Sequence, residues 1–487
     1  MYIGIDLGTS SVKVLIMDEK GKVKNTKSKE YPLLFPKEGW IEQDPDIWIK
    51  KTFEIFEEFS KDELSKIKAI SFSGQMHGTV FLDENNNVIR PALLWCDQRT
   101  EEECKIINQS FPDTLTSMTG NIAMTGFSAP KILWLKNKEP KNFKKIKKIL
   151  LPKDYLAYKL SGVFSTDLSD ASGTLLLDVK KRKWCIPMLN FLGITEKQLP
   201  SLYESYECVG TIDQKLVEEF GFNKDVKIVA GGGDQAVGAI GVGAVKPGIL
   251  SVSLGTSGVV FTSNKNYSYD KKGRIHSFCH ANGEYHQMGV MLSAAGALKW
   301  WIEDINKESD YSKLIEEANN SKFDKNLFFL PYLVGERTPH NNPNIRGQFC
   351  GLSIQHTRGD LTRCILEGIS FGLYDSLKLM IELGIQPTTI RITGGGGKSK
   401  FWRQMISDIF QLKVERVNSI EGPAYGAAIL AAIGDGCFNN VNEACEKLIK
   451  VIEITNPEIN NKNFYENKYI RFRKLYPILC EIQNVIL

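Results

Sequence analysis

The tetrapeptide Leu-Gly-Thr-Ser occurs twice, at residues 7–10 and again at 254–257, about half the chain apart. Each copy lies between two apolar runs of β character, the first spanning residues 2–17 and the second 249–261. A short small-residue loop between two strands makes a hairpin whose glycine admits close backbone approach. One copy alone reads as a tight turn in which the hydroxyls satisfy local backbone. Two copies, in a chain too long for one ordinary core, point to two similar halves whose loops face each other and hold a polyphosphate.

The size of the chain, 487 residues, suits two domains. Lys246-Pro-Gly248 is a natural boundary, so the cut is placed near 245, giving domains 1–245 and 246–487. Strand and helix patterns alternate in both, which argues for an α/β fold. Strands are expected at 2–6, 12–17, near 23–27, at 67–73, 226–230 and 390–393. Helices are expected at 46–59, from 235 through 243, at 361–383, near 401–410 and at 424–433.

Hydrophobic residues make up 42% of the chain and charged residues 24%, with a net charge of only +4, so no nucleic-acid surface is indicated. The basic run at 136–148 reads as a solvated face. Ten cysteines are scattered without zinc spacing, which suggests a reducing compartment. Asp6 interrupts the first apolar run, so no signal peptide is expected. The small-residue stretch 236–261 contains Lys246 and Pro247 and reads as buried core, so a cytoplasmic protein without a membrane partner is expected.

Asp6 ends the first strand beside the Gly-Thr-Ser loop. A carboxylate there repels phosphate unless a cation intervenes, which makes it a candidate to orient Mg²⁺ through water. Gly8 lets the backbone approach phosphate, Thr9, Ser10 and Ser11 offer hydroxyls, and Lys13 offers charge. Asp234 follows three glycines at a strand's carboxyl end, where α/β ligand sites lie. It suits a base accepting a hydroxyl proton and suits equally an Asp N-cap. Met76 and His77, in Gln75-Met-His-Gly78, could pack against and hydrogen-bond a polyol, although a lone His is more often structural. Trp95, Asp97 and Arg99 read either as a sugar wall or as a core Trp with an ion pair. The run 394–397, before Lys398 and Ser399, costs folding entropy and suits a phosphate or a flat base.

Taken together, these segments resemble the FGGY carbohydrate kinases nearly end to end, from Asp6 to about Ala432. The resemblance includes Phe127-Ser-Ala-Pro-Lys-Ile-Leu-Trp-Leu-Lys-Asn137, and Gly347-Gln-Phe-Cys-Gly-Leu352 leading to Asp360-Leu361 and Leu366-Glu367. Cys364 stands where the family usually has Ala or Ser. The family implies two actin-like (ribonuclease H-like) ATPase domains flanking a catalytic cleft. Sugar would bind the first domain, and ATP with Mg²⁺ mainly the second. Gln75-Met-His-Gly78, Trp40-Ile-Glu-Gln-Asp-Pro45, Leu151-Pro-Lys-Asp-Tyr155, His276-Ser-Phe-Cys-His280 and the stretch 331–342 look most like members acting on D-xylulose. Gln235 departs from the Asn that many of those members carry, and matches the glycerol-phosphorylating ones.

By this resemblance Asp234 is the general base, Gln75, Met76, His77, Trp95 and Gln235 contact the sugar, and Asp6 lies near Mg²⁺. Thr9, Ser10, Lys13, Gly255 and Thr256 would hold the ATP phosphates, with Gly296, Gly395, Gly396 and Gly397 against ADP. The implied reaction is ATP-dependent phosphorylation of D-xylulose to D-xylulose 5-phosphate, by an enzyme of a family whose members are often homodimers. The alternatives are another polyol (ribulose, gluconate or glycerol) or an actin-like ATPase switch without a sugar pocket.

Overall fold

The computed structural model describes residues 1–419 and 421–486 and contains two seven-stranded sheets. The first is built from β1 (Tyr2–Leu7), β2 (Ser11–Met17), β3 (Val23–Glu30), β4 (Ala69–Gly74), β5 (Cys208–Thr211), β6 (Lys227–Val229) and β7 (Gly232–Gly233). Its spatial order is β5-β6-β4-β1-β2-β3, with β7 beside β4. The second comprises β8 (Ile249–Leu254), β9 (Gly258–Asn264), β10 (His276–Cys279), β11 (Tyr285–Met291), β12 (Thr389–Thr393), β13 (Lys413–Val417) and β14 (Val451–Thr455), in the order β10-β11-β9-β8-β12-β13-β14.

The two sheets repeat one plan. β1, β2 and β3 form an antiparallel meander, and so do β8, β9 and β11. On the other side of the leading strand, β4 and β6 run parallel to β1, as β12 and β13 run parallel to β8. Each Leu-Gly-Thr-Ser copy therefore closes the first hairpin of its sheet. This duplicated topology agrees with the two actin-like halves expected from sequence.

Side-chain alternation along β1 assigns its faces. Ile3, Ile5 and Leu7 join Val12, Val14 and Ile16 in a core under helix α1 (Pro45–Glu57), which buries Trp48, Ile55 and Phe56. Asp44 caps that helix by accepting from the Asp46 amide, and Pro45 fills its first turn. Tyr2, Gly4 and Asp6 point to the opposite face.

Five further helices position the site: α2 (Leu168–Ser172), α3 (Asp234–Gly241), α4 (Arg358–Glu382), α5 (Lys400–Phe410) and α6 (Gly422–Gly434). The cut near 245 falls between the sheets, yet α6, from the second half, lies on the first sheet. It packs on β1, β4 and α3, and Ala424 to Ile433 share one buried cluster with Val237, Ala239 and Ile240 of α3. Glycines make this contact possible. A Cβ on Gly4 would stand 2.0 Å from the Ala424 carbonyl oxygen, one on Gly426 2.0 Å from that of Val237, and one on Gly241 1.9 Å from that of Gly422. Backbone thus rests on backbone, where no side chain fits.

Among the described residues, no helix is long and apolar enough to cross a membrane.

Gly4→Ala is expected to lower stability by at least ~2 kcal/mol, because a methyl group must push α6 off β1. Urea unfolding measures this, and an unchanged midpoint would show that the seam can yield.

Candidate functional site

Strand register brings three loops to one point. Leu7, Gly74 and Gly233 occupy one row across β1, β4 and β7. One residue later the chain leaves these strands at Gly8, Gln75 and Asp234, so all three lie together at the carboxyl edge of the sheet. The row before it holds Lys13, Asp6, Ser73 and Gly232.

Asp6 accepts from Ser73 Oγ at 2.9 Å. Burial pushes its carboxyl up to about 6, against the Ser73 hydrogen bond and the positive charge of Lys13. Lys13, expected from sequence to offer charge to phosphate, has its Nζ 2.6 Å from Glu421 Oε2, at the N-terminus of α6. The Asp234 N-cap reading is not met. Gly233 occupies the cap position, and Asp234 is the first helical residue. Its carboxyl is pushed up to about 7, chiefly by burial and next by the negative charge of Asp6.

A polar network holds this turn from behind. The Gly233 amide donates to Ser169 Oγ at 3.1 Å, and Ser169 and Ser205 both donate to Asp167. Lys153 Nζ lies 2.6 Å from Asp154, 3.0 Å from Asp167 and 3.8 Å from Asp170, all of them buried. The carboxylates hold the Lys153 ammonium charged despite its burial, which acts the other way. Sequence reasoning passed over this network, whose charged members Lys153, Asp154, Asp167 and Asp170 are spread over two segments with no motif spacing.

Met76 and His77 flank the same turn. Cγ, Sδ and Cε of Met76 lie 2.9–3.0 Å from where a Gly233 Cβ would stand, so only glycine admits this packing. His77 adopts φ of 67° and places Nδ1 2.5 Å from the Gly173 carbonyl. That carbonyl can only accept, so Nδ1 carries the proton and Nε2 is left as an acceptor. Burial pulls the imidazole down to about 3, which keeps it neutral. The Phe127 ring meets it edge-on at 4.7 Å, and its own carbonyl accepts from buried Lys131 at 2.8 Å.

Gln75 reaches towards the Gly8 carbonyl at 3.4 Å, while its buried Oε1 has no partner. Gln235, next to Asp234, is partly exposed. Trp95 Nε1 donates to Thr9 Oγ1 at 2.9 Å, which ties it to the first hairpin loop. Asp97 and Arg99 turn away from it. Arg99 pairs with Asp97 and Glu42, each at 2.7 Å, and stacks over Trp40. The segment therefore divides between the two readings given above. Ser10 is exposed and Thr9 partly so.

The second hairpin loop opens on a cleft of about 850 Å³. Gly255, Thr256, Gly296, Gly395 and Gly396 line it, with apolar walls that include Ile315 and Phe401. The Ala295 and Gly296 amides donate to the Gly255 and Thr256 carbonyls at 2.9 and 3.0 Å, which clamps the loop to the next helix. A Cβ on Gly395 would meet nothing within 4 Å, so this residue faces open space. Gly397, expected beside them, does not line the cleft. The run forms a 3-10 turn over Gly395–Lys398, and its three-residue period turns Gly397 inward onto Ile392.

Among the described residues, no group of three or more His, Cys, Asp or Glu side chains is arranged to hold a metal ion. Asp6 and Asp234 are instead two half-buried carboxylates that repel each other. Oxygen donors this few suit a cation that retains most of its water, as Mg²⁺ does.

Residues 1–241 match the N-terminal domain of the FGGY family of carbohydrate kinases, and residues 250–434 match its C-terminal domain. The chain is 39% identical over 479 residues to the xylulose kinase of Bacillus subtilis (strain 168), covering 97% of this chain and 96% of that one. It is 40% identical over 486 residues to the xylulose kinase of Escherichia coli (strain K12), covering 99% and 100%. A solved xyloylose kinase from Brucella ovis superposes with a TM-score of 0.94 at 37% identity, with 99% of each chain covered.

In the ligand-free protein one aspartate, Asp234, is expected to titrate near pH 7. Asp6→Asn removes a neighbouring negative charge and shifts that titration to lower pH. Carboxyl ¹³C chemical shifts follow both; an unchanged midpoint in the variant would mean that the two groups do not interact.

Proposed function

The chain belongs to the FGGY family of carbohydrate kinases, and from that premise we propose that it transfers the γ-phosphoryl group of ATP to D-xylulose, forming D-xylulose 5-phosphate. One observation carries the mechanistic reading. Asp234 is released from capping, sits next to Asp6, and lies at the sheet edge shared by the Met76–His77 loop and the first hairpin loop.

The sugar packs its carbon chain on Met76 and donates a hydroxyl hydrogen to His77 Nε2. Gln75, Gln235 and Trp95 surround it. Asp234 accepts the proton of the terminal hydroxyl as that oxygen attacks phosphorus, and its value near 7 suits it to that task at neutral pH. The hydroxyls and amides of Thr9, Ser10, Gly255 and Thr256 hold the phosphates from two sides. The adenine and ribose occupy the cleft beside Gly296, Gly395 and Gly396. Bound Mg²⁺ supplies neutralisation of phosphate charge, with Asp6 orienting its water shell. Lys13 reaches a phosphate only by leaving Glu421.

The division into 1–245 for sugar and 246–487 for nucleotide belongs to the same reading, with α6 crossing between them. So does a reducing, cytoplasmic setting, which ten unpaired cysteines support.

The test is ADP release with Mg-ATP against D-xylulose, D-ribulose, D-gluconate and glycerol. D-xylulose is expected to stimulate it most, with activity falling as pH drops through about 7 because protonated Asp234 accepts no proton. Asp234→Asn is expected to cut kcat by about 10²–10⁴-fold without weakening ADP binding. Stimulation by another sugar would refute the substrate, and a fully active Asp234→Asn the base.

Gly395→Val places a side chain into open cleft and is expected to weaken ADP binding about tenfold or more, with little change in thermal stability. Calorimetric titration with ADP checks this, and undiminished affinity would place the nucleotide elsewhere.

A further inference from the structure

The segment after β11 carries an arginine whose charge the protein leaves unanswered. The backbone around Arg337 is pinned to the end of β11. The Thr338 amide donates to the Val290 carbonyl at 3.0 Å, and the Val290 amide donates to Thr338 Oγ1 at 3.1 Å. Glu336 Oε1 accepts from the Leu292 and Arg337 amides at 2.9 and 2.8 Å. Glu336 is thus engaged with backbone through Oε1 and makes no ion pair with the neighbouring guanidinium, which feels its charge only at a distance.

Among the described residues, the Arg337 side chain makes no ion pair and no hydrogen bond; its one donated bond comes from the backbone amide. Elsewhere the protein answers its buried guanidinium groups. Arg99 pairs with Asp97 and Glu42, Arg363 with Glu367, and Arg403 with Glu453 and two carbonyls. Arg337 is half-buried, and its unpaired guanidinium is left available to donate to a ligand.

Its position says which ligand. Arg337 Nη2 lies 4.0 Å from where a Gly126 Cβ would stand, and the same point is 2.8 Å from the Trp95 carbonyl. Phe127, the next residue, touches the His77 ring. The positive charge of Arg337 also helps to hold His77 and His276 neutral. Arg337 therefore reaches from the second half of the chain into the Trp95–His77 end of the pocket. Met76, the residue before His77, packs on Gly233, the residue before Asp234.

We propose that Arg337 is a specificity-determining residue of the sugar site, donating from its guanidinium to the ketone oxygen of the substrate, at the end away from the transferred phosphoryl group. This rests on the reading of D-xylulose as substrate. The chemistry of the two pocket walls is complementary. His77 Nε2 and Asp234 accept hydrogens from hydroxyls, whereas a guanidinium only donates, and a ketone oxygen only accepts. Because the donor comes from one half and the acceptors from the other, a bound ketose ties the two halves together and favours closure.

The experiment compares KM and kcat for D-xylulose and for xylitol, whose secondary alcohol replaces the ketone, in the wild type, Arg337→Met and Arg337→Lys. With Arg337→Met, KM for D-xylulose is expected to rise about 10–100-fold, while that for xylitol changes less than about threefold. Arg337→Lys keeps the charge but loses the fork, and is expected to raise KM for D-xylulose about tenfold. Without sugar, Arg337→Met should melt no lower than wild type, since an unpaired charge is removed, and its melting shift at a given D-xylulose concentration should shrink.

A wild type active on D-xylulose, with KM and the ketose-to-alditol ratio unchanged in Arg337→Met, overturns the proposal. A lower melting point with unchanged KM assigns Arg337 a structural role. If Arg337→Met does not fold, an unchanged KM in Arg337→Lys overturns it instead. A wild type inactive on D-xylulose refutes the substrate reading, a different result from any of these.

Discussion

Backbone contact without intervening side chains organises this molecule. Where α6 packs against α3 and lies on β1, the atoms that meet are carbonyls and amides, and glycines 4, 241 and 426 are the residues that permit it. The closeness has chemical consequences. It sets the N-terminus of α3, and so Asp234, against the sheet edge that carries Asp6. It also sets the N-terminus of α6, with Glu421, within reach of Lys13. A looser seam would part the two carboxylates and remove the mutual repulsion that helps keep Asp234 protonatable near neutrality.

The site is a region of deliberate electrostatic tension. Asp6 and Asp234 lie half-buried beside each other, and among the described residues Gln75 Oε1 lacks a partner and both Asp170 oxygens lie buried without a hydrogen bond. None of this favours folding, since buried polar atoms without partners cost free energy. The surrounding structure absorbs it through the large apolar clusters on both faces of the first sheet and through the Lys153 network behind the catalytic turn. On the proposed reading, sugar and nucleotide meet a surface already set to receive hydroxyl protons and phosphate charge.

What could be read from the chain alone follows the range of the interactions involved. The duplicated tetrapeptide led directly to the two hairpins, because a loop between adjacent strands is local. Strand ends placed Asp6, Gln75 and Asp234 at one edge, although only the register makes them neighbours. The base and cap readings of Asp234 stood level because the two differ by one residue in where the helix begins. Gly397 was misplaced because a 3-10 turn rotates a run of identical residues differently from an extended loop. Lys13 was read without its partner because Glu421 is more than four hundred residues away. The small-residue pattern of 424–433 predicted a buried helix, but nothing in its periodicity says which sheet it covers. The Asp97–Arg99 pair separated from Trp95 for a similar reason, since its third partner is Glu42.

The path of α6 also bears on how the protein can be made. The first sheet begins at residue 2, but the helix that covers its inner face begins at Gly422. During synthesis the N-terminal half must wait, with the socket for Ala424–Ile433 open, until the helix Gly422–Gly434 has left the ribosome. A fragment ending near 245 would retain that apolar socket permanently, and a gene split there would yield two pieces that are obliged to assemble with each other before either is complete.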